Sequence, residues 1–207
     1  MQTLSRAPLL AALAAGLFAS APALPATLDF ESLADLESLG QQFAASGVAF
    51  SNAIALTAGL SVNEVDFPPH SGSVVISDDG GPMTLTFTNA VQQVSGFFTY
   101  AAPLTLSAFD AAGQWLGSVG SAFGNNTTLV GDAGSVPNEW LQLSTAAGMA
   151  RLTISGDAAG GSFVLDDLSI TPVPEPAAAW LLALGLIGLI GSYGLTGLRA
   201  QRRRQPV

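Results

Sequence analysis

The chain contains no cysteine and no lysine, a single histidine, and charged side chains at only 10% of its 207 positions. Without cysteine there is no disulfide framework, thiol nucleophile, cysteine-ligated zinc or haem, or lipoprotein anchor. Without lysine there is no Schiff base. Every Ser-His-Asp or histidine-metal scheme would have to pass through His70, in the stiff loop Phe67-Pro68-Pro69-His70-Ser71-Gly72, and no Gly-x-Ser-x-Gly elbow accompanies it. His70 therefore reads as an exposed loop residue. No glycine loop of the phosphate-cradling kind precedes a helix, which leaves nucleotide chemistry without support. A glycosidase would need two facing carboxylates in a cleft, and no pair among the acids is singled out by spacing. The chain reads as non-catalytic, with a secreted polysaccharide hydrolase as the alternative.

Basic charge is scarce and segregated. Arg6 stands at the front, Arg199, Arg202, Arg203 and Arg204 at the end, and Arg151 alone between them. From Thr27 to Pro172 there are 14 acidic residues against that one arginine, a balance of −13. Such a surface repels nucleic acid and anionic membrane, and suits divalent cations or neutral partners.

Mean hydropathy is nevertheless +0.46, too apolar for a plain soluble domain, and the excess lies at the two ends. Residues 1–26 read as a secretory signal: Arg6, an apolar run from Leu9 to Ala19, and small-residue cleavage sites at Ala21-Pro22-Ala23 or Leu24-Pro25-Ala26. Residues 177–198 carry no charge, and 22 residues at a rise of about 1.5 Å give roughly 33 Å, enough to cross a bilayer core. The arginines beyond this transmembrane helix stay cytoplasmic by the positive-inside rule, which puts residues 27–176 on the far side.

Directly before the span stands Pro174-Glu175-Pro176. Pro-Glu-Pro, apolar helix and arginine cluster, in that order at the C-terminus behind an N-terminal signal, resemble a PEP-CTERM sorting signal over residues 173–207. The resemblance implies export by a Gram-negative bacterium and insertion in the inner membrane. It further implies cleavage near Pro174-Glu175-Pro176 by a membrane-embedded exosortase, and delivery to the cell surface or the exopolysaccharide matrix of a biofilm. The prolines fit that implication, because they deny helix to their neighbours and keep the segment extended for a protease cleft.

Between the addresses, residues 27–172 show short apolar alternations separated by Gly, Pro, Asn and Asp turns. Strands are expected at 28–31, 48–52, 73–77, 83–88, 94–100, 104–109, 115–120, 139–144, 150–155 and 162–170, with a single amphipathic stretch at 33–43. Leu85 and Phe87, Leu104 and Leu106, and Leu152 and Ile154 alternate with Thr or Ser, giving one apolar and one hydroxylated face. Asp110-Ala111-Ala112-Gly113 reads as a hairpin turn, and Asp78 to Gly81, Asn125-Asn126 and Asp157 to Gly161 as turns. So many short strands in one domain predict an all-β fold, a β-sandwich.

The opening Leu28-Asp29-Phe30-Glu31, the Gly47-Val48-Ala49-Phe50 that follows, and the closing run from Phe163 to Ile170 with Asp166-Asp167 resemble jelly-roll domains of the galactose-binding type, which include carbohydrate-binding modules. That resemblance implies a structural Ca²⁺ held by Asp29, Glu31, Asp166 and Asp167. If the terminal strands lie side by side, four like charges crowd without a cation. The resemblance also implies a polysaccharide ligand. Trp140, after the Pro137-Asn138-Glu139 turn, is the expected sugar platform, with Tyr100 as the alternate, whereas Trp115 lies within a strand pattern.

Overall fold

The computed structural model describes residues 25–173 and 185–187. Most of the expected signal, Pro174, Glu175 and Pro176, most of the expected span, and Arg199, Arg202, Arg203 and Arg204 lie outside the described residues. Among the described residues no helix is long and apolar enough to cross a membrane.

Among the described residues nine strands surround the core: β1 (Ala26–Leu28), β2 (Val48–Ser51), β3 (Ala53–Thr57), β4 (Val74–Asp78), β5 (Met83–Tyr100), β6 (Thr105–Phe109), β7 (Trp115–Gly120), β8 (Glu139–Ser155) and β9 (Phe163–Pro172). All pairings are antiparallel, in the order β3-β4-β9-β5-β8-β6-β7, with β1 on β9 and β2 on β5. The four central segments expected separately are two long strands, β5 and β8, each serving two layers. The first part of β5 pairs with β2 and the end of β8; its second part pairs with β9 and the start of β8. Register slips between Thr86 and Gln93. Inward parity changes across the slip, from Met83, Leu85 and Phe87 to Val94 and Phe98. In β8 it changes from Leu141 and Leu143 to Leu152 and Ile154, around Gly148 at φ 75°. Irregularities that swap a strand's faces are how a strand turns from one sheet into another. The outcome is an all-β sandwich. Its first layer is β3-β4-β9-β5-β8 with β1 beside β9, its second is β2-β5-β8-β6-β7, and one apolar cluster joins both.

The amphipathic stretch at 33–43 is not a helix. Leu36 and Leu39 donate to the carbonyls of Ala55 and Ala53, so it runs irregularly along β3 while Leu33 and Leu39 are buried. Just before it Phe30 takes a left-handed φ of 62° and inserts edge-on between Phe43 and Phe50, with centroids 5.6 and 6.3 Å away. That backbone strain costs about 1–3 kcal/mol, and burying the ring returns about as much.

At one tip the turns after β4 and β8 meet backbone to backbone: a Cβ on Gly160, itself at φ 82°, would strike the Gly80 amide. Beneath them Asp78 is buried. Its Oδ1 accepts from the Gly161 N–H at 2.9 Å, and its Oδ2 has no partner among the described residues. Burial holds this carboxyl above its ordinary range despite the hydrogen bonds that act the other way. The folded chain thus binds this proton more tightly than the unfolded one. Its contribution to stability is fullest at low pH and is lost as pH rises from the ordinary carboxylate value through the raised one. Asp78→Asn removes the buried charge, so it is expected to raise stability at neutral pH by about 1 kcal/mol. The gain should shrink as pH falls from the raised value toward the ordinary carboxylate value of about 4 and be least below it, and thermal melts across pH check this.

Candidate functional site

The outward face of the first layer is polar and partly aromatic. Cross-strand pairing sets Trp140, Gln142 and Ser144 of β8 beside Phe97, Ser95 and Gln93 of β5, then Ser95 beside Ser169 of β9, and Ser169 beside Thr27 of β1. These side chains share one side of the layer because Leu141, Leu143, Val94, Phe98, Leu168 and Ile170 alternate with them toward the core, although Ser95 is itself buried and offers nothing to a ligand. Thr27 Oγ1 and Ser169 Oγ lie 2.9 Å apart, and Ser144 Oγ donates to Gln93 Oε1 at 3.3 Å. At one end of this strip stand three rings: His70 lies flat on Phe97, centroids 3.4 Å apart and 7° from parallel, and Phe97 meets Trp140 at 4.8 Å and 58°. Trp140 is 46% exposed, and its neighbours on the strip offer amides and hydroxyls as directional donors and acceptors.

His70 belongs to this face because carboxylates hold its loop there. Asp166 Oδ2 accepts from the backbone N–H groups of His70 and Ser71, each at 2.8 Å, and its Oδ1 accepts from the Asp167 N–H at 2.7 Å. Asp167, bent at φ 47°, places Oδ2 2.6 Å from His70 Nδ1 and accepts from Ser71 Oγ at 3.0 Å. Glu31 Oε1 accepts from the N–H groups of Ser73 and Val74 at 2.9 and 2.8 Å. Gly72 between them takes φ 50°, and a Cβ there would overlap the Glu31 carboxylate. Burial pushes the Asp166 carboxyl above its ordinary range, and the Asp167 charge adds to that, while the backbone donors oppose it.

The terminal strands do lie side by side, β1 against β9. The four acids expected to cradle Ca²⁺ are nevertheless turned to other work. Asp29 is exposed and accepts from the Glu31 N–H at 3.3 Å, while Glu31, Asp166 and Asp167 grip residues 70–74. Among the described residues no three Asp, Glu or His side chains come together as a cation site would require. N–H groups of residues 70, 71, 73, 74 and 167 donate to Asp166 and Glu31, and the four acids are not gathered into one calcium cradle.

Tyr100, the alternate sugar platform, is fully buried. It falls on the inward side of β5 beyond the register slip, and its hydroxyl is hydrogen-bonded to Glu139 and to the Phe123 N–H. Burial first, and the Glu139 contact second, push its pKa up to about 12. Trp115 lies in a strand, β7, as expected, and its side chain is 63% exposed. Phe97 and His70 are the functional candidates that sequence reasoning missed; the phase of alternation through Phe97-Phe98 was the available signal.

No protein-family model and no curated protein matches the chain. Among solved structures it is similar to a DUF4465 family protein from Bacteroides caccae at 13% identity and TM-score 0.47, over 72% of this chain and 99% of that one. The K2 cleaved adhesin domain of Lys-gingipain matches at 14% identity and TM-score 0.44, over 71% and 99%. A family 11 carbohydrate-binding module from Clostridium thermocellum, in complex with a mixed-linked tetrasaccharide, matches at 8% identity and TM-score 0.34, over 75% and 98%.

Proposed function

We propose that this protein is an exported, non-catalytic component of a bacterial surface or biofilm matrix, released by an exosortase at Pro174-Glu175-Pro176, whose sandwich binds polysaccharide on the His70–Phe97–Trp140 strip. The observation that carries the reading is the half-exposed Trp140 ring at the end of an outward strip of Gln, Ser and Thr. A sugar ring has an apolar face and an equatorial rim of hydroxyls. An aromatic platform flanked by amides matches both, and orientation comes from the few polar groups. The underlying ring, Phe97, is fixed by β5 pairing and by His70 stacked upon it, so little side-chain freedom is lost on binding. Affinity per domain is weak, since one stacked ring adds only about 0.5–1.5 kcal/mol beyond the area it buries, and weak contacts repeated along a polymer suit matrix retention.

Retention on the host's exopolysaccharide tests the site. Trp140→Ala is expected to lower affinity roughly 2- to 10-fold with an unchanged melting temperature, because the ring is half in solvent. EDTA should leave retention as it was, and retention that EDTA abolishes but Trp140→Ala spares would overturn the strip. The address has its own test, mass spectrometry of the exported protein. Loss of the tail beyond Pro174-Glu175-Pro176 is expected, and an intact Val207 in a host that processes other substrates would refute cleavage.

A further inference from the structure

The geometry points to a second, separate binding face on the opposite layer, built for a uronate-bearing polysaccharide and centred on Arg151. The proposal goes beyond the first strip and stands or falls apart from it. The outward side chains of the second layer form two rows that cross the strands. One is Ser51–Thr84–Thr153–Ser107–Ser118, a hydroxyl on each of five neighbouring strands. The next is Ala49–Thr86–Arg151–Phe109–Trp115. The inward neighbours Leu85, Leu106, Leu152 and Ile154 are buried, which fixes both rows on the solvent side.

Within the second row the Arg151 guanidinium carbon sits 4.6 Å from the centre of the Phe109 ring. Among the described residues the guanidinium N–H groups donate to no protein acceptor, and a guanidinium fork can take a carboxylate in two parallel hydrogen bonds. Among the described residues Arg151 makes no ion pair, although residues 27–172 contain 14 carboxylates. That is a consequence of placement, since residues 48–51, 83–88, 105–109, 115–120 and 149–155 include no Asp or Glu. Asp110, next along the chain from Phe109, is engaged by the N–H groups of Ala112 and Gln114 in the hairpin turn. With a screening length of about 8 Å at physiological salt, the acids of the other layer do little to cancel one local cation.

Trp115, 63% exposed two strands from Arg151, supplies a ring about 10 Å away at the usual strand spacing. A polymer lying across the strands would set one sugar on that ring, a carboxylate on Arg151, and its hydroxyls along the Ser and Thr row. A neutral glucan has nothing for Arg151 to pair with, so charge is what distinguishes the two faces.

Titration of the exported protein with alginate oligomers, in EDTA at physiological salt, tests this. Arg151→Gln is expected to weaken binding at least tenfold, about 1.4 kcal/mol. Arg151→Lys should fall between, and Trp115→Ala should weaken binding several-fold. Arg151 and Trp115 are exposed, so melting temperatures should be unchanged. Trp140→Ala should leave alginate binding intact, and Arg151→Gln should leave retention on neutral exopolysaccharide intact, so the two faces fail independently. No alginate binding by the parent, or equal binding by parent and Arg151→Gln, would overturn the proposal. So would a parent dimer that Trp115→Ala dissolves, because a second copy would then cover the face.

Discussion

Asp166→Ala is expected to lower the melting temperature of the exported protein by about 6–12 °C. Three backbone donors, His70, Ser71 and Asp167 N–H, end on this one side chain, and Asp166 is itself buried. An orphaned buried donor costs about 1–3 kcal/mol, and loss of the buried negative charge returns part of that, leaving a net cost near 3 kcal/mol. A domain of this size shifts roughly 2–4 °C per kcal/mol. The variant should also lose retention on polysaccharide more than Trp140→Ala does, because His70 no longer rests on Phe97. Asp167→Ala breaks only the bonds to His70 Nδ1 and Ser71 Oγ at a partly exposed site and should cost well under half as much. Calcium is expected to move the melting temperature of neither protein. A rise of several degrees in the parent, reversed by chelator and missing in Asp167→Ala, would return these carboxylates to the role of metal ligands.

Asn126→Ala should be comparably damaging. Asn126 has no exposed surface; its Oδ1 accepts from the Tyr100 N–H at 2.6 Å, and its Nδ2 donates to the carbonyls of Phe98 and Val136 at 2.9 and 3.1 Å. One side chain thus supplies the partners that β5 lacks at its exit and stitches the 121–138 connection over that end. The connection is tied in turn to the 58–73 loop, where Thr128 and Leu129 donate to Asp66. Leaving two carbonyls and one amide unpaired costs about 2–4 kcal/mol, or roughly 4–16 °C. Thermal melts check it, and a loss below about 1 kcal/mol would mean that water replaces all three bonds.

The sandwich was legible wherever strands alternate, as in Leu85 and Phe87 against Thr84 and Thr86, because burial on one face imposes a period of two. β3 was not, since Ala53-Ile54-Ala55-Leu56-Thr57 follows β2 after a single residue and lacks that contrast. Tyr100 and Trp140 show why the site was only half legible. Trp140, after its turn, is exposed as expected, whereas Tyr100 ends the run Phe97-Phe98-Thr99-Tyr100 on β5, where the slip between Thr86 and Gln93 reverses which side faces solvent, and a slip leaves no mark in composition. The pairing of Asp29-side and Asp166-side strands was readable from the motifs at the two termini. That residues 70–74 would fill the space between their carboxylates was not, because the contact spans 96 residues of sequence.

The central claim is that the sandwich holds polysaccharide through the Trp140 ring, backed by Phe97, and does not cut it. Affinity electrophoresis through gels containing the host's exopolysaccharide, with reducing ends counted in the same samples, measures both halves at once. The parent should be retarded and Trp140→Ala retarded several-fold less, with no new reducing ends in either. Equal mobility of the two proteins, or reducing ends that accumulate with the parent, would contradict it.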